Sequence, residues 1–435
     1  MDVEEMESIS CIYCKPLLFL YKIVSSYFVS SHLHLLSLFN SHNKMSDITK
    51  DVKFSLKVVI NKQKTKVLFA EIDSDLADVL FSFLTLPLGK IVRILKKHYR
   101  DEAPVFGSIT TLYDGLSNLE SSHFWTEGGK QMLLNPTSSF IDECRRLKLD
   151  IGDNQPIKYF SCENLNSVHY RANNMAMYYD TVICDCGKQL KKEIQLKNVS
   201  NVVGGEVFTI RTATFILSDD LQILPNLRNV TFGFNEIMDF FKYSLISPTP
   251  LTNVVLKNQT KYEPGTLVHQ IGKISSCYSV LTLKAYLQKS TNKFLFAEAE
   301  EYFVEFLFSF LIISLGGVKR LLGNTSLKNT DNLYQSLYTD EKFLSQGQYK
   351  LRSPSIPYGY LSTNSIFTLT EEESPNLYYY KNSSTNEEYL TFSGGVSCIF
   401  KSPRGHEKYM KGPRKYMVKD DLTVTFVHEL VPKHS

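Results

Sequence analysis

Cys162, Cys184 and Cys186 are the residues of this 435-residue chain best suited to holding a metal. Thiolates are soft ligands that suit zinc, and the corner Cys184-Asp185-Cys186-Gly187 supplies two of them from one turn. A structural zinc site takes four ligands, and His169 is the nearest candidate for the fourth. The alternative is three reduced, partly buried thiols with no metal. Cys11 and Cys14 form an isolated Cys-x-x-Cys, a weak signal by itself.

Carboxylates offer a second chemistry. Glu71 and Glu298 each follow Phe-Ala at the end of a strand-like segment. A general acid or base needs a partner and a cleft that tunes its pKa, and no His, Ser or Cys recurs beside either one. Pairing with lysine, or capping the following helix, accounts for both. Asp219-Asp220 and Asp420-Asp421 resemble acid pairs, but neighbours on an extended chain point to opposite faces, so turn formation explains them better.

Lys401 to Lys419 carries seven basic residues, with Tyr409 and Tyr416 between them. Cations interleaved with rings can bind phosphate backbones, which makes Lys411, Arg414 and Lys415 candidate contacts for nucleic acid or another anion. Pro403, Gly405, Gly412 and Pro413 favour a plain solvated loop. The chain has no GxxxxGK[ST] loop, no strand-linked GxGxxG, no HExxH and no GxSxG. No catalytic residue is assigned, and no cofactor is required beyond a candidate zinc.

These residues sit on a duplicated framework. Phe54–Leu95 and Leu281–Leu322 align without a gap at an offset of 227, with 17 of 42 positions identical. Leu112-Tyr113 then matches Leu333-Tyr334, and Asp219-Asp220-Leu221 matches Asp420-Asp421-Leu422. A unit this long is a domain-sized duplication rather than a solenoid repeat. Within each copy, Phe54, Leu56, Val58 and Ile60 keep the period of a strand, and Lys66–Glu71 returns as its hairpin partner. Leu76, Val79, Leu80, Phe83 and Leu84 then follow helical spacing, matched by Phe303, Phe306, Leu307, Phe310 and Leu311. Leu88-Gly89 and Leu315-Gly316 are expected to break that helix through a left-handed cap, with a shorter helix through Ile91, Ile94 and Leu95 after it. Farther on, the spacing predicts helices over Phe124–Leu133 and Asp142–Leu147, and strands over Thr212–Leu217 and Leu221–Leu224. Ile237, Phe240, Phe241 and Leu245 mark another helix. A hairpin covered by an amphipathic helix makes an α+β unit.

The composition, 43% hydrophobic and 21% charged, is that of a soluble globular protein of two or three domains, each burying its own core. Lys plus Arg exceed Asp plus Glu by only 48 to 45, so no global field draws in nucleic acid or anionic lipid. Eight cysteines are too few for a disulfide scaffold and point to a reducing compartment. Residues 1–44 read differently. Leu17–Phe39 is long enough to span a bilayer, but it carries Lys22, His32, His34 and five serines, and the acidic residues before it do not suit a signal peptide. A membrane location is expected only if this run is a genuine anchor. Otherwise residues 1–44 are an extension, with Met45 as the start.

Ser55-Leu56-Lys57, Val67-Leu68-Phe69-Ala70-Glu71, Leu80 through Gly89, Met132 through Pro136, Cys144 through Leu149, Asp219-Asp220-Leu221 and Pro250 through Asn253 together resemble the plant family called domain of unknown function 674. The resemblance covers nearly all of Met45–Ser435. It implies tandem copies of one unit in a plant protein, and it implies no reaction. A Cys-x-Cys-Gly corner is similar in that family, which favours the metal reading.

The expected organisation is a first unit over 45–262 and a second over 275–435, lacking the last helix of the first. The expected function is a non-enzymatic protein-interaction module in the cytoplasm or nucleus. Small-molecule binding or catalysis in a cleft between the units is one alternative, and zinc-stabilised nucleic-acid binding is the other.

Overall fold

A computed structural model describes residues 3–5, 9–10, 52–163, 173–197, 206–211, 214–225, 230–232, 234–256 and 282–427, with short gaps inside the longer stretches. Two short strands, β1 (Val3–Glu5) and β2 (Ile9–Ser10), come first. The first copy opens with the expected hairpin of β3 (Phe54–Ile60) and β4 (Val67–Asp73). Asn61 closes its turn, with Oδ1 accepting from the backbone N–H of Thr65 and Lys66. Asp73 then caps α1 (Ser74–Ser82) by accepting from Leu76 N at 2.8 Å, which satisfies one orphan donor of the first turn. Leu76, Val79, Leu80 and Phe83 are all buried, as their spacing requires.

The helix break differs from expectation. A 3₁₀ turn over Phe83–Thr85 and the extended Leu86-Pro87 end α1, and Gly89 lies in the first turn of α2 (Leu88–Tyr99). The new helix is also longer than α1, at 12 residues against 9. Gly89 serves close approach instead of a left-handed cap: a Cβ there would lie 3.1 Å from Leu311 Cβ and 3.2 Å from the carbonyl oxygens of Leu133 and Leu311. Gly316 makes the mirror contact, 3.1 Å from the Leu84 carbonyl oxygen.

Helices α3 (Gly107–Asn118), α4 (Glu127–Leu134) and α5 (Ile141–Arg145) follow, then short strands β5 (Tyr159–Ser161), β6 (Asn173–Met177) and β7 (Lys192–Ile194). The copy finishes with β8 (Thr214–Ser218), β9 (Ile223–Pro225), β10 (Val230–Phe232), α6 (Phe234–Ile246) and α7 (Pro250–Leu256). The second copy contributes β11 (Thr282–Gln288), β12 (Lys293–Glu300), α8 (Glu301–Ser309), α9 (Leu315–Leu322), α10 (Lys328–Ser336) and α11 (Gly347–Arg352). Strands β13 (Tyr378–Lys381), β14 (Glu388–Thr391), β15 (Val396–Lys401), β16 (Lys415–Val418) and β17 (Val424–Phe426) complete it. The fold is α+β.

The duplication holds to the residue in strand register. Lys57 faces Glu71 as Lys284 faces Glu298, Glu71 faces Ile216 as Glu298 faces Met417, and Ile216 faces Leu224 as Met417 faces Thr425. The first copy's sheet runs β10-β3-β4-β8-β9; the second's runs β11-β12-β16-β17, with β1 and β2 both on the outer edge of β11. Val3–Glu5 and Ile9–Ser10 therefore lie within the second copy's sheet, although the sequence sets residues 1–44 apart.

The copies do not bury separate cores. One continuous apolar cluster includes Leu80, Leu84, Ile91, Phe241, Leu307, Leu311 and Val318, drawn from both halves. Across the junction Leu88 N donates to Ile313 O at 2.9 Å and Leu315 N to Leu86 O at 3.0 Å, the reciprocal pattern of a two-fold interface. Each copy also lends a helix to the other's sheet. Helix α3 packs on β17, where a Cβ on Gly115 would meet Val424 N at 2.9 Å, and α10 packs on β9, where Ser336 Oγ accepts from Ile223 N at 3.0 Å.

A third sheet joins the halves in the order β14-β13-β15-β6-β5-β7, with β15 and β6 parallel. No periodicity in the sequence announces it, because its strands are three to six residues long.

Candidate metal centre

The three named cysteines converge. Cys162 follows β5, and Cys184 and Cys186 sit on a tight hairpin laid over one face of the joining sheet; their Sγ atoms all lie within 4.8 Å of one another. Cys162 and Cys186 lie 3.6 Å apart. Sulfurs on one tetrahedral zinc stand about 3.8 Å apart, given Zn–S bonds of about 2.3 Å, so the triangle is of the right size.

Local backbone builds the corner. Cys184 N donates to Lys188 O at 2.7 Å, Gly187 N to Cys184 O at 2.9 Å, and Leu190 N to Val182 O at 2.9 Å. Gly187 turns the chain at φ +80°, a conformation that costs a residue with a Cβ. Beneath the hairpin, Phe160, Ala176, Val182 and Leu190 bury the stems of Cys162 and Cys184, while Cys186 is exposed. The Lys188 backbone N–H donates to the Cys186 sulfur and helps to hold that thiol below its usual pKa, which favours the thiolate a metal needs. His169, the fourth ligand named from sequence, lies outside the described residues. Cys398 packs in a different cluster with Tyr159, Met175 and Phe400, and burial pushes its thiol up to about 11.

The hairpin is also a strap. Asp185 accepts from Asn174 of β6 and pairs with Lys401 of β15, so the corner between the two cysteines grips both copies. Register places Ile399 and Tyr380 on this same sheet face, beyond the hairpin's cover. They are 57% and 39% exposed, and Tyr380 lies against Tyr389 with ring centroids 4.9 Å apart.

The other named residues stand as follows. Glu71 pairs with Lys57 at 3.2 Å, its second oxygen buried with no hydrogen-bond partner among the described residues, and Glu298 pairs with Lys415 at 2.7 Å. The Asp219-Asp220 and Asp420-Asp421 pairs form turns, each followed by a leucine at positive φ (Leu221 and Leu422). In the basic stretch, Arg414 Nη1 donates to His123 Nδ1 at 2.9 Å, Lys415 holds Glu298, and Lys401 holds Asp185. Arg404 is buried over the Tyr409 ring, Lys408 lies over Tyr302, and the Lys411 backbone N–H donates to His123 O at 2.8 Å.

Three buried polar groups escaped sequence reasoning. Asp78, on the apolar face of α1, accepts from the backbone N–H of Val207, Phe208 and Thr209 and from Thr209 Oγ1; burial outweighs these bonds and pushes its carboxyl up to about 7. Glu305, 227 positions on, accepts from Tyr409 N, Met410 N and Ser362 Oγ. The signal was present, since an acid recurs at one offset inside an apolar stripe. Lys90 is buried against Asn154 Oδ1 at 2.7 Å, where desolvation lowers it to about 8; Gly317 stands at its place in the second copy, so the repeat gave no hint of it.

Among the described residues no helix is long and apolar enough to cross a membrane, and Leu17–Phe39 lies outside them. Comparison with curated proteins and with solved structures returned no match. The model of the family described as "Protein of unknown function (DUF674)" matches twice, over residues 50–232 and 226–430. Two tandem matches over most of the chain, together with a register repeated strand for strand, place this protein in the DUF674 family.

Proposed function

We propose that the chain is a non-enzymatic protein-interaction module in which zinc, held by Cys162, Cys184 and Cys186, pins the strap across the joining sheet. The observation that carries this reading is the sheet face beside the strap, where Tyr380 and Ile399 stand exposed on neighbouring strands of the sheet that joins the copies. Tyrosine and a branched aliphatic side chain on a rigid sheet suit burial by a protein partner. Zinc would offset most of the thiolates' charge and fix the strap, and so the edge of that face. Reduced thiols at the corner fit the cytoplasm or nucleus. Nucleic-acid binding is less well supported, because Arg414 and Lys415 already hold His123 and Glu298.

The test is quantitative affinity purification of the full chain against Ile399→Asp and Tyr380→Asp. The reading predicts unchanged melting temperatures and a loss of about tenfold or more in a defined set of partner proteins. Identical co-purifying proteins, or a nucleic acid or metabolite retained by all three, would contradict it.

A further inference from the structure

We propose that Cys162 and Cys186 form a dithiol that a hydroperoxide oxidises to a disulfide, with Cys186 as the sulfur attacked first. The two sulfurs lie 3.6 Å apart, and a disulfide bond spans about 2 Å, so a small rotation of the exposed Cys186 side chain closes the gap. Cys144, Cys162, Cys184 and Cys398 are buried, so among the described cysteines Cys186 is the one open to a dissolved oxidant. Cys162 sits just past β5, packed with Phe160, Ala176, Val182 and Leu190, in the place of a resolving thiol. Cys184 is the poorer partner. A bond to it would close a ring through Asp185 alone, within a turn already tied by Gly187 N donating to Cys184 O at 2.9 Å.

The chemistry balances with the hydroperoxide as the sole oxidant. The Cys186 sulfur, as thiolate, attacks one peroxide oxygen; an S–O bond forms, the O–O bond breaks, and the leaving alkoxide takes up a proton as alcohol. Cys186 is then a sulfenic acid. The Cys162 thiolate attacks that sulfur, the S–S bond forms, the S–O bond breaks, and hydroxide leaves to become water. Two thiols and one hydroperoxide thus give one disulfide, one alcohol and one water. The new bond ties the strap covalently to the end of β5 and withdraws two of the three thiolates from any metal. The strap exchanges a metal clasp for a covalent one. The metal half of this inference rests on the zinc reading above; the disulfide half does not.

The test titrates the reduced, zinc-supplied full chain with hydrogen peroxide. Zinc release is followed with a chromogenic chelator, and cross-links are mapped by mass spectrometry without reduction. The expected result is a loss of about 2 Da per chain, located in a Cys162–Cys186 cross-link, with zinc released in step. Cys162→Ser should stop at a sulfenic acid that dimedone captures on Cys186, and Cys184→Ser should still form the cross-link. The parent's own map decides the matter if a variant does not fold. A Cys162–Cys186 cross-link in a chain that never held zinc would sink the zinc reading and keep this one. Absence of that cross-link would overturn this one, whether the sulfurs stay reduced with zinc retained or pair instead with Cys11, Cys14, Cys184 or Cys277.

Discussion

The Asn332 side-chain amide donates to the backbone carbonyl of Asp220 at 2.7 Å, across the junction between the two copies. Thr111 donates to the carbonyl of Asp421 in the reciprocal contact. The paired aspartates that recur in the sequence thus mark turns whose backbones receive a helix from the other copy. Their acidity is incidental to that role, although Asp220 also holds Lys328 at 3.1 Å.

Because helices are exchanged and one core is shared, the chain is expected to unfold in urea as a single transition. Asn332→Ala and Thr111→Ala should each lower stability by about 0.5–1.5 kcal/mol and so move the midpoint to lower urea, without splitting the transition. Two separated transitions by circular dichroism and fluorescence would mean that the copies are independent.

Gly89→Ala and Gly316→Ala place a methyl group 3.1 Å from the facing copy, where each neighbour includes a backbone oxygen that cannot rotate away. Each should cost about 1–3 kcal/mol. Denaturation midpoints check this; equal midpoints for the variants and the parent would contradict the close approach.

Asp78 sets a pH dependence. Its carboxyl is raised to about 7 in the folded chain against about 4 unfolded, so the folded state binds the extra proton between those values. Stability from this group is fully present below pH ~4 and is lost as pH rises to about 7, by at most about 1.4 kcal/mol per unit. Relative to the parent, Asp78→Asn should gain stability steadily over that window. A stability difference independent of pH would show that Asp78 titrates alike in both states.

Arg414→Ala should lower stability by about 1–3 kcal/mol, because it strips the buried His123 of a charged donor. It should leave retention on RNA and DNA columns unchanged. Loss of retention with unchanged stability would reverse the assignment and make the basic loop a binding surface.

The hairpin, its covering helix and the Asp-Asp turns were legible because each is local and appears twice, so every copy checks the other. The convergence of Cys162 with Cys184 and Cys186 was legible in ligand type, but its geometry depends on β5 and the strap lying on one sheet. That joining sheet was hidden, since β6 finds β15 more than two hundred residues away and neither strand is long enough to show a period. Gly89 was misread because a glycine after an apolar run signals a cap equally well as a close approach, and only the position of Leu311 separates the two. The basic stretch misled for a similar reason: a run of cations says nothing about which of them a fold turns inward.

The most direct measurement is the metal content of the full chain purified under reducing conditions with zinc supplied. The account predicts one zinc per chain, lost in Cys162→Ser and in Cys186→Ser and kept in Cys398→Ser, whose side chain packs in a separate cluster. A parent chain without zinc, or zinc held equally by all three variants, would contradict it.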